Sequence, residues 1–178
     1  MQSEPELNSL GFLHIDYSGE ADMKIAVSAC LLGENCKYNG GNNFSEKVKD
    51  YVSGHEVISV CPEVLGGLPI PREPAEIVDG VVRHKDGSSV DQEFRNGARR
   101  ALEIMLANEV ELVILQSRSP SCGVDHVYDG TFSKRLIPGY VMRKQAVELI
   151  HQPRAIYGIL HVEVRHHHSG IYPCIGAA

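Results

Sequence analysis

Several signatures of common enzyme classes are missing from this sequence. No Gly-x-Ser-x-Gly elbow is present, which argues against a serine hydrolase of that type. The glycine- and asparagine-rich stretch 33–43 lacks a Gly-Lys-Ser/Thr ending, which favours a structural loop over a phosphate-binding loop. No Cys-x-x-Cys pair occurs, and this argues against a zinc ribbon and against a thioredoxin-like redox pair. Any site must therefore be assembled by the fold.

Long apolar runs and an excess of positive charge are also absent. No run approaches the roughly 20 residues that cross a bilayer, and the first residues lack the layout of a secretory signal, so a cytoplasmic protein is expected. A net charge of −6 argues against a broad phosphate-binding surface, and we expect neither a membrane nor nucleic acid as partner. The 178 residues, 43% hydrophobic and 22% charged, predict a globular chain with enough core to fold alone.

Five cysteines are present, and in a cytoplasmic chain an odd number favours free thiols or metal ligands over disulfides. Three of them stand in short loops that follow apolar runs, each of which predicts a buried strand. Cys30 comes after Ile25–Val27, Cys61 after Val57–Val60, and Cys122 after Leu112–Leu115. Ligands of open α/β sheets bind just beyond the carboxyl ends of parallel strands. If the three runs are parallel neighbours, the three thiols converge on one rim of one sheet.

The pattern predicts a three-layer α/β fold with a mostly parallel sheet and helices on both faces. The predicted elements are strand 24–29, helix 45–52, strand 57–60, an Asp79-Gly80 hairpin over 77–82, a helix from a Ser89-x-x-Gln92 capping box to residue 107, strand 112–116 and an Asp129-Gly130 hairpin over 127–132. In helix 45–52 the apolar residues Phe44, Val48, Tyr51 and Val52 fall on one face at helical spacing. Three prolines in 69–74 predict a stiff extended loop near the site. We expect residues 1–22 to form an extension, 23–139 the α/β domain, and 140–178 a C-terminal segment with helix 140–150 and strand 155–164.

The residues alone leave the kind of metal site open. A structural zinc ion needs four ligands, and Cys36 could add the fourth because it shares a loop with Cys30. Three thiolates with one open position suit an iron–sulfur cluster better, since zinc prefers closed thiolate sites or open sites that contain histidine. For Cys36 and Cys174 a small buried hydrophobe is the simpler interpretation. The consecutive residues His166–His168 cannot all face one ion, so no metal is expected there.

Polar side chains near two of these cysteines are candidates for catalysis. Glu63 follows Cys61 closely, and a carboxylate beside a metal can act as general base for water. The alternative for Glu63 is a surface charge or an acid at the start of a helix. Ser119 and Ser121 flank Pro120 beside Cys122, where they could orient a substrate or simply cap a turn.

The three loops closely resemble a bacterial family catalogued as a domain of unknown function, whose members include 2-thiouracil desulfurases. The resemblance covers about residues 23–139 and is carried by Ser-Ala-Cys-Leu-Leu-Gly (28–33), Cys-Pro-Glu-Val-Leu-Gly-Gly (61–67), Ser-Pro-Ser-Cys-Gly (119–123), Tyr38-x-Gly-Gly, Lys85-Asp-Gly and Tyr128-Asp-Gly-Thr-Phe. The chain departs from the family pattern after Ile137-Pro138-Gly139. By this resemblance Cys30, Cys61 and Cys122 would hold a 4Fe–4S cluster, with Glu63 as acid/base and Ser119 in the substrate site.

The resemblance also implies an activity, the removal of sulfur from a thiolated pyrimidine to give uracil and sulfide. The thiocarbonyl sulfur would bind the iron that has no protein ligand, and carboxylate-activated water would replace it at carbon. The partners would be a small thiolated nucleobase and the iron–sulfur assembly machinery. Two alternatives stay open, a non-catalytic metal- or cluster-binding module that acts as sensor or sulfur carrier, and a structural zinc protein.

Overall fold

The computed structural model describes residues 22–123, 126–138, 160–164 and 172–174. Its strands are β1 (Lys24–Ser28), β2 (Glu56–Val60), β3 (Ala75–Val78), β4 (Val81–His84), β5 (Leu112–Gln116), β6 (His126–Tyr128), β7 (Leu136–Pro138), β8 (Leu160–Val164) and β9 (Tyr172–Cys174). Its helices are α1 (Glu46–Tyr51), α2 (Pro62–Leu65) and α3 (Asp91–Ala107), and a 3-10 turn spans Ala29–Leu32.

The main sheet of the described residues has the strand order β2-β1-β5-β8-β9. β1 pairs in parallel with β2 and with β5, and β5 pairs in parallel with β8. Only β9 runs antiparallel, along β8. The α/β fold with a mostly parallel sheet is therefore confirmed. Because β2, β1 and β5 are neighbours with a common direction, their carboxyl ends form one rim.

The central strands β1 and β5 lie between helices on the two faces of the sheet. Side chains alternate between the faces of a strand, so each strand supplies two apolar surfaces. One surface joins α1 in a buried cluster that includes Ile25, Val27, Leu112, Ile114, Val48 and Val52. The other joins α3 in a cluster that includes Ala26, Val113, Leu115, Ala98, Ala101 and Met105. Burial of each large side chain contributes roughly 1.5–3 kcal/mol, so the two clusters fix the rim in place.

β2 and Phe44 are both more exposed than their apolar patterns indicate. β2 is an edge strand of the main sheet with β1 on one side, and most of its residues are exposed or half-buried. Phe44 is 48% exposed, whereas Val48 and Val52 are buried as predicted. The reason is that α1 begins only at Glu46, with the Ser45 hydroxyl accepting a hydrogen bond from the Val48 N–H, so Phe44 precedes the helix.

The predicted start of α3 was also partly wrong. The helix begins at Asp91 without a side-chain cap, so Ser89-x-x-Gln92 does not form a capping box. The Ser89 hydroxyl accepts only a bond from the Asp91 N–H. The Asp91 carboxylate instead accepts from the backbone N–H of Val82 in β4 and from Arg95 one turn on. A long-range contact therefore fixes this helix end.

The two predicted hairpins differ in their turns. β3 and β4 are joined by Asp79 and Gly80, both with positive φ, as a tight Asp-Gly turn requires. β6 and β7 also pair, but the connection covers residues 129–135 and is longer than predicted.

The predicted C-terminal elements are only partly described. Helix 140–150 and His166–His168 lie outside the described residues, whereas the predicted strand 155–164 is found as β8. β8 and β9 belong to the segment 140–178, and they extend the main sheet. None of the described helices is long and apolar enough to cross a membrane.

Candidate active site

Three loops leave the carboxyl rim of the sheet, and each carries one of the cysteines predicted as ligands. The first loop (29–45) follows β1 and holds Cys30, the second loop (61–74) follows β2 and begins with Cys61, and the third loop (117–123) follows β5 and holds Cys122. Cys30 and Cys122 are buried and Cys61 is half-buried, and none of the three is in a disulfide. The strand order thus brings the three loops to one rim, as the sequence predicted.

The thiols are distributed over both sides of this rim. Cys30 and Cys36 belong to the apolar cluster on the α1 side, with Cys61 packed against it, while Cys122 belongs to the cluster on the α3 side. The Cys36 thiol lies close enough to Cys30 and Cys61 for both to shift its pKa, and the Cys61 Sγ donates to the Cys36 carbonyl at 4.0 Å. Among the described side chains, no three His, Cys, Asp or Glu residues are arranged to hold a single metal ion.

The thiol protons are held tightly in this arrangement. The hydrogen bond with Cys30, together with burial, raises the pKa of Cys36 to about 11. The hydrogen bond with Cys36, followed by burial, raises the pKa of Cys61 well above its usual value. Burial raises the pKa of Cys122 to about 12, although bonds from Ser121 and Ser28 oppose that shift. A metal that binds these sulfurs must therefore displace protons.

The short helix α2 places Glu63 beside the cysteines. Cys61 occupies the N-cap position and Pro62 the first helical position, where its missing N–H costs nothing. Glu63 Oε1 accepts hydrogen bonds from the hydroxyls of Ser121 at 2.9 Å and Ser119 at 3.3 Å. The carboxylate thus joins the second loop to the third loop.

Ser119 also performs the turn-capping role that was its alternative. Its hydroxyl lies 2.9 Å from that of Ser121 and accepts from the backbone N–H groups of Ser121 and Cys122. Ser119 therefore shapes the loop that carries Cys122 and faces Glu63 as well. Ser121 donates to Glu63 over the shorter distance, and its hydroxyl oxygen also lies 3.6 Å from the Cys122 sulfur.

Arg72 is a site residue that the sequence analysis missed. Its Nε and Nη2 lie 2.8 and 2.5 Å from Glu63 Oε2, and Nη2 also donates to the Cys36 carbonyl at 2.9 Å. Its side chain is only 5% exposed. Arg72 therefore ties the second loop to the first loop. The only available signal was that it is the one cation in the proline-rich stretch.

A close helix contact sets the position of α2. Gly97 in α3 faces the start of α2, and a Cβ atom on Gly97 would lie 1.8 Å from the Pro62 carbonyl oxygen. Gly66 makes the reciprocal approach, since a Cβ there would lie 2.1 Å from the Glu93 carbonyl oxygen. The backbones of the two helices therefore touch, and this contact fixes the segment that carries Cys61 and Glu63.

Fold and site together define an α/β protein whose parallel sheet presents thiols and a clamped carboxylate on its carboxyl rim. The sequence model of the 2-thiouracil desulfurase family matches residues 25–152, and the chain belongs to this family. The resemblance inferred from the three loops is thereby confirmed.

Two relatives are similar over most of their length. The uncharacterized protein YbbK of Bacillus subtilis is 38% identical over 125 residues, which are 65% of this chain and 83% of that protein. A solved structure of the [4Fe-4S]-dependent thiouracil desulfidase TudS superposes with a TM-score of 0.65 at 36% identity. That likeness covers 71% of this chain and 85% of TudS.

Proposed function

We propose that this protein removes the sulfur of a thiolated pyrimidine such as 2-thiouracil, with a 4Fe–4S cluster held by Cys30, Cys61 and Cys122. Family membership and the likeness to TudS support the activity and the cofactor. The observation in this chain that carries the proposal is the rim itself. Three adjacent parallel strands are each followed by a loop that carries a free thiol. The carboxylate of Glu63 joins two of these loops by hydrogen bonds.

The donor set fits such a cluster. Thiolates are the usual ligands of iron–sulfur clusters, and each binds a different iron atom. A single zinc ion instead needs its sulfurs around one point, at about 2.3 Å each. The thiols here are spread over both sides of the rim, with Cys30 in the α1-side cluster and Cys122 in the α3-side cluster. Among the described side chains no three metal-binding residues surround one point, and this favours a multi-iron cofactor over a structural zinc ion.

The bound cluster would supply an iron without a protein ligand, a soft Lewis acid for the sulfur of C=S. The chain's own residues would then handle water and protons. Oε2 of Glu63 is paired with the Arg72 cation, whereas Oε1 has only the neutral hydroxyls of Ser119 and Ser121 as partners, so Oε1 is the more basic oxygen and takes the proton from the attacking water. The two hydroxyls orient that water. The net reaction adds one water molecule, releases one molecule of hydrogen sulfide and involves no electron transfer.

Anaerobic purification and reconstitution test the proposal. We expect iron and sulfide in a ratio typical of a 4Fe–4S cluster, a brown protein, and conversion of 2-thiouracil to uracil with release of sulfide. Cys61→Ala should lose the cluster, whereas Cys36→Ala should keep it. Glu63→Gln should keep the cluster and lose about 100-fold or more in kcat, because a positioned base contributes about that much.

Other outcomes would decide between the alternatives. A brown protein without turnover would point to a non-catalytic module. A colourless protein with stoichiometric zinc that depends on Cys36 would point to a structural zinc site. Full activity of Glu63→Gln would remove Glu63 from the mechanism.

A further inference from the structure

Gln116, the last residue of β5, has a buried acceptor without a partner. The residue is 9% exposed, and among the described residues nothing donates a hydrogen bond to its Oε1. Its Nε2 donates to the carbonyl of Ser117 at 3.0 Å. Because a carbonyl only accepts, the amide nitrogen must face Ser117, so the two ends of the amide cannot be exchanged. The unpaired group is therefore an oxygen that requires an N–H or O–H donor.

Leaving such a group unpaired is unfavourable. A buried acceptor without a hydrogen bond costs about 1–3 kcal/mol, and most buried polar atoms in folded proteins have a partner. An apolar side chain would avoid this cost in a strand whose other residues are buried and apolar. The amide oxygen of Gln116 therefore indicates a donor that arrives with a ligand.

Gln116 lies on the rim itself, at the carboxyl end of β5 and directly before the loop that carries Cys122. Its backbone N–H donates to the Ser28 hydroxyl at 2.9 Å, and Ser28 is near enough to the Cys122 thiol to lower its pKa. Alternation along β5 places Gln116 on the same face as Ile114, whose cluster contains Cys30 and Cys36. The side chain thus stands at the end of β5, on the face of the sheet that also carries Cys30 and Cys36.

We propose that Gln116 Oε1 accepts a hydrogen bond from a ring N–H next to the thiocarbonyl group of the substrate. In 2-thiouracil the carbon that carries sulfur is flanked by two ring N–H groups, so an acceptor on the rim that carries the thiols is suited to pair with one of them. This inference rests on the proposed function. It makes Gln116 a specificity-determining residue for pyrimidines that keep that N–H.

Methylated substrates test the contact. We expect wild-type kcat/KM to fall about tenfold or more for either 1-methyl- or 3-methyl-2-thiouracil, since an unpaired buried acceptor costs about that much. Gln116→Leu should lower kcat/KM for 2-thiouracil by a similar factor and cause little further loss with that same analogue. Such non-additivity marks a direct contact. Gln92→Leu, on the exposed side of α3, is the matched control. It should leave kcat/KM unchanged for 2-thiouracil and for both methylated analogues.

Binding gives a second readout that does not need turnover. Equilibrium dialysis of 2-thiouracil and of its methylated forms against reconstituted protein should show the same loss in Gln116→Leu. If the wild-type protein binds 2-thiouracil but does not remove its sulfur, the proposed function is wrong. The dialysis then still tests whether Gln116 contacts the ligand. The inference is overturned if Gln116→Leu discriminates the analogues as the wild type does. It is equally overturned if the only effect is a lower melting temperature, which would reveal a partner within the chain.

Discussion

At the residue scale, the carboxylate of Glu63 is the point where the three rim loops meet. Arg72 from the second loop holds Oε2, while Ser119 and Ser121 from the third loop hold Oε1. The first loop joins through the bond between Arg72 and the Cys36 carbonyl. Charge-assisted hydrogen bonds of this kind are about twice as strong as neutral ones. The position of the carboxylate is therefore set by all three loops together.

Replacing Arg72 should separate positioning from cluster binding. We expect Arg72→Gln to keep the iron and sulfide content but lower kcat about 100-fold, because a displaced catalytic group costs about that factor. The unfolding free energy should fall by about 3 kcal/mol, since Glu63 would be left partly buried without its partner. Anaerobic steady-state kinetics and denaturant unfolding measure both effects.

The exposed pair Arg99–Glu103 provides the control for Arg72. Its side chains are 52% and 60% exposed, so Arg99→Gln should change stability by less than about 0.5 kcal/mol and leave kcat unaltered. A rise in KM at unchanged kcat in Arg72→Gln would contradict the positioning role and indicate direct substrate binding instead.

Residues of the rim differ in how far the sequence could reveal them. Cys30, Cys61 and Cys122 could be found because each follows an apolar run, and the strand order then brings their loops together. Arg72 and Gln116 could not, because their local sequence gives at most a weak signal of a role at the site. The guanidinium of Arg72 meets Cys36 only through the folded loops, and the free oxygen of Gln116 becomes notable only when its burial is known.

At the scale of elements, the contact between α3 and α2 connects the core to the site. Gly97 allows the two backbones to touch, and α2 begins at the residue that follows Cys61. Helix propensity alone favours alanine over glycine inside a helix by about 1 kcal/mol. The closeness of the Pro62 carbonyl, at 1.8 Å from any added Cβ, outweighs that gain.

Gly97→Ala should therefore damage both stability and site. Neither backbone can give way cheaply, so we expect a loss of about 3 kcal/mol or more and weaker cluster retention, because α2 must shift with Cys61 and Glu63. Thermal unfolding and iron content after desalting check this. Arg99→Ala, on an exposed position of the same helix, should be nearly neutral. A stabilised Gly97→Ala protein would show that the helices stand further apart.

The start of α3 gives a prediction about pH. Burial by itself would raise the pKa of Asp91, but its bonds to Arg95 and to the Val82 N–H outweigh burial and hold the pKa below the ordinary 3.8. A carboxyl whose folded-state pKa is lowered stabilises the protein above its unfolded pKa, and this contribution is lost as pH falls through the folded value. Asp91→Asn should therefore cost about 1 kcal/mol at pH 7.

The difference between Asp91→Asn and the wild type should shrink below about pH 4, as the wild-type carboxyl takes up its proton. Urea unfolding at pH 7, 5 and 3 measures it. Glu103→Gln, which loses only an exposed pair, should show little difference at any of these pH values. A gap that stays constant down to pH 3 would mean that the charge of Asp91 is unimportant.

At the scale of the whole molecule, apolar runs predicted the strands well but not their surroundings. β1 and β5 are buried on both faces, as continuous apolar runs in a parallel sheet require. The run of β2 is similar, yet it lies at the sheet edge and is mostly exposed. Whether a strand lies at the edge or in the centre of the sheet depends on the strand order, and the sequence of a single apolar run does not determine that order. The same limit applies to the long connection between β6 and β7, whose Asp129-Gly130 pair indicates a tight turn.

Truncation tests where the folding unit ends. The boundary predicted at residue 139 separates β7 from β8, yet β8 pairs with β5 from Leu112 to Gln116. A chain ending at 139 would leave the N–H and C=O groups along that side of a buried apolar strand unpaired, and such an edge favours aggregation. We therefore expect the 1–139 chain to aggregate or to lose the cooperative unfolding transition, whereas a chain that starts at Asp22 keeps it. Size-exclusion chromatography and circular dichroism distinguish the two, and a soluble, cooperatively folded 1–139 chain would show that β8 is dispensable.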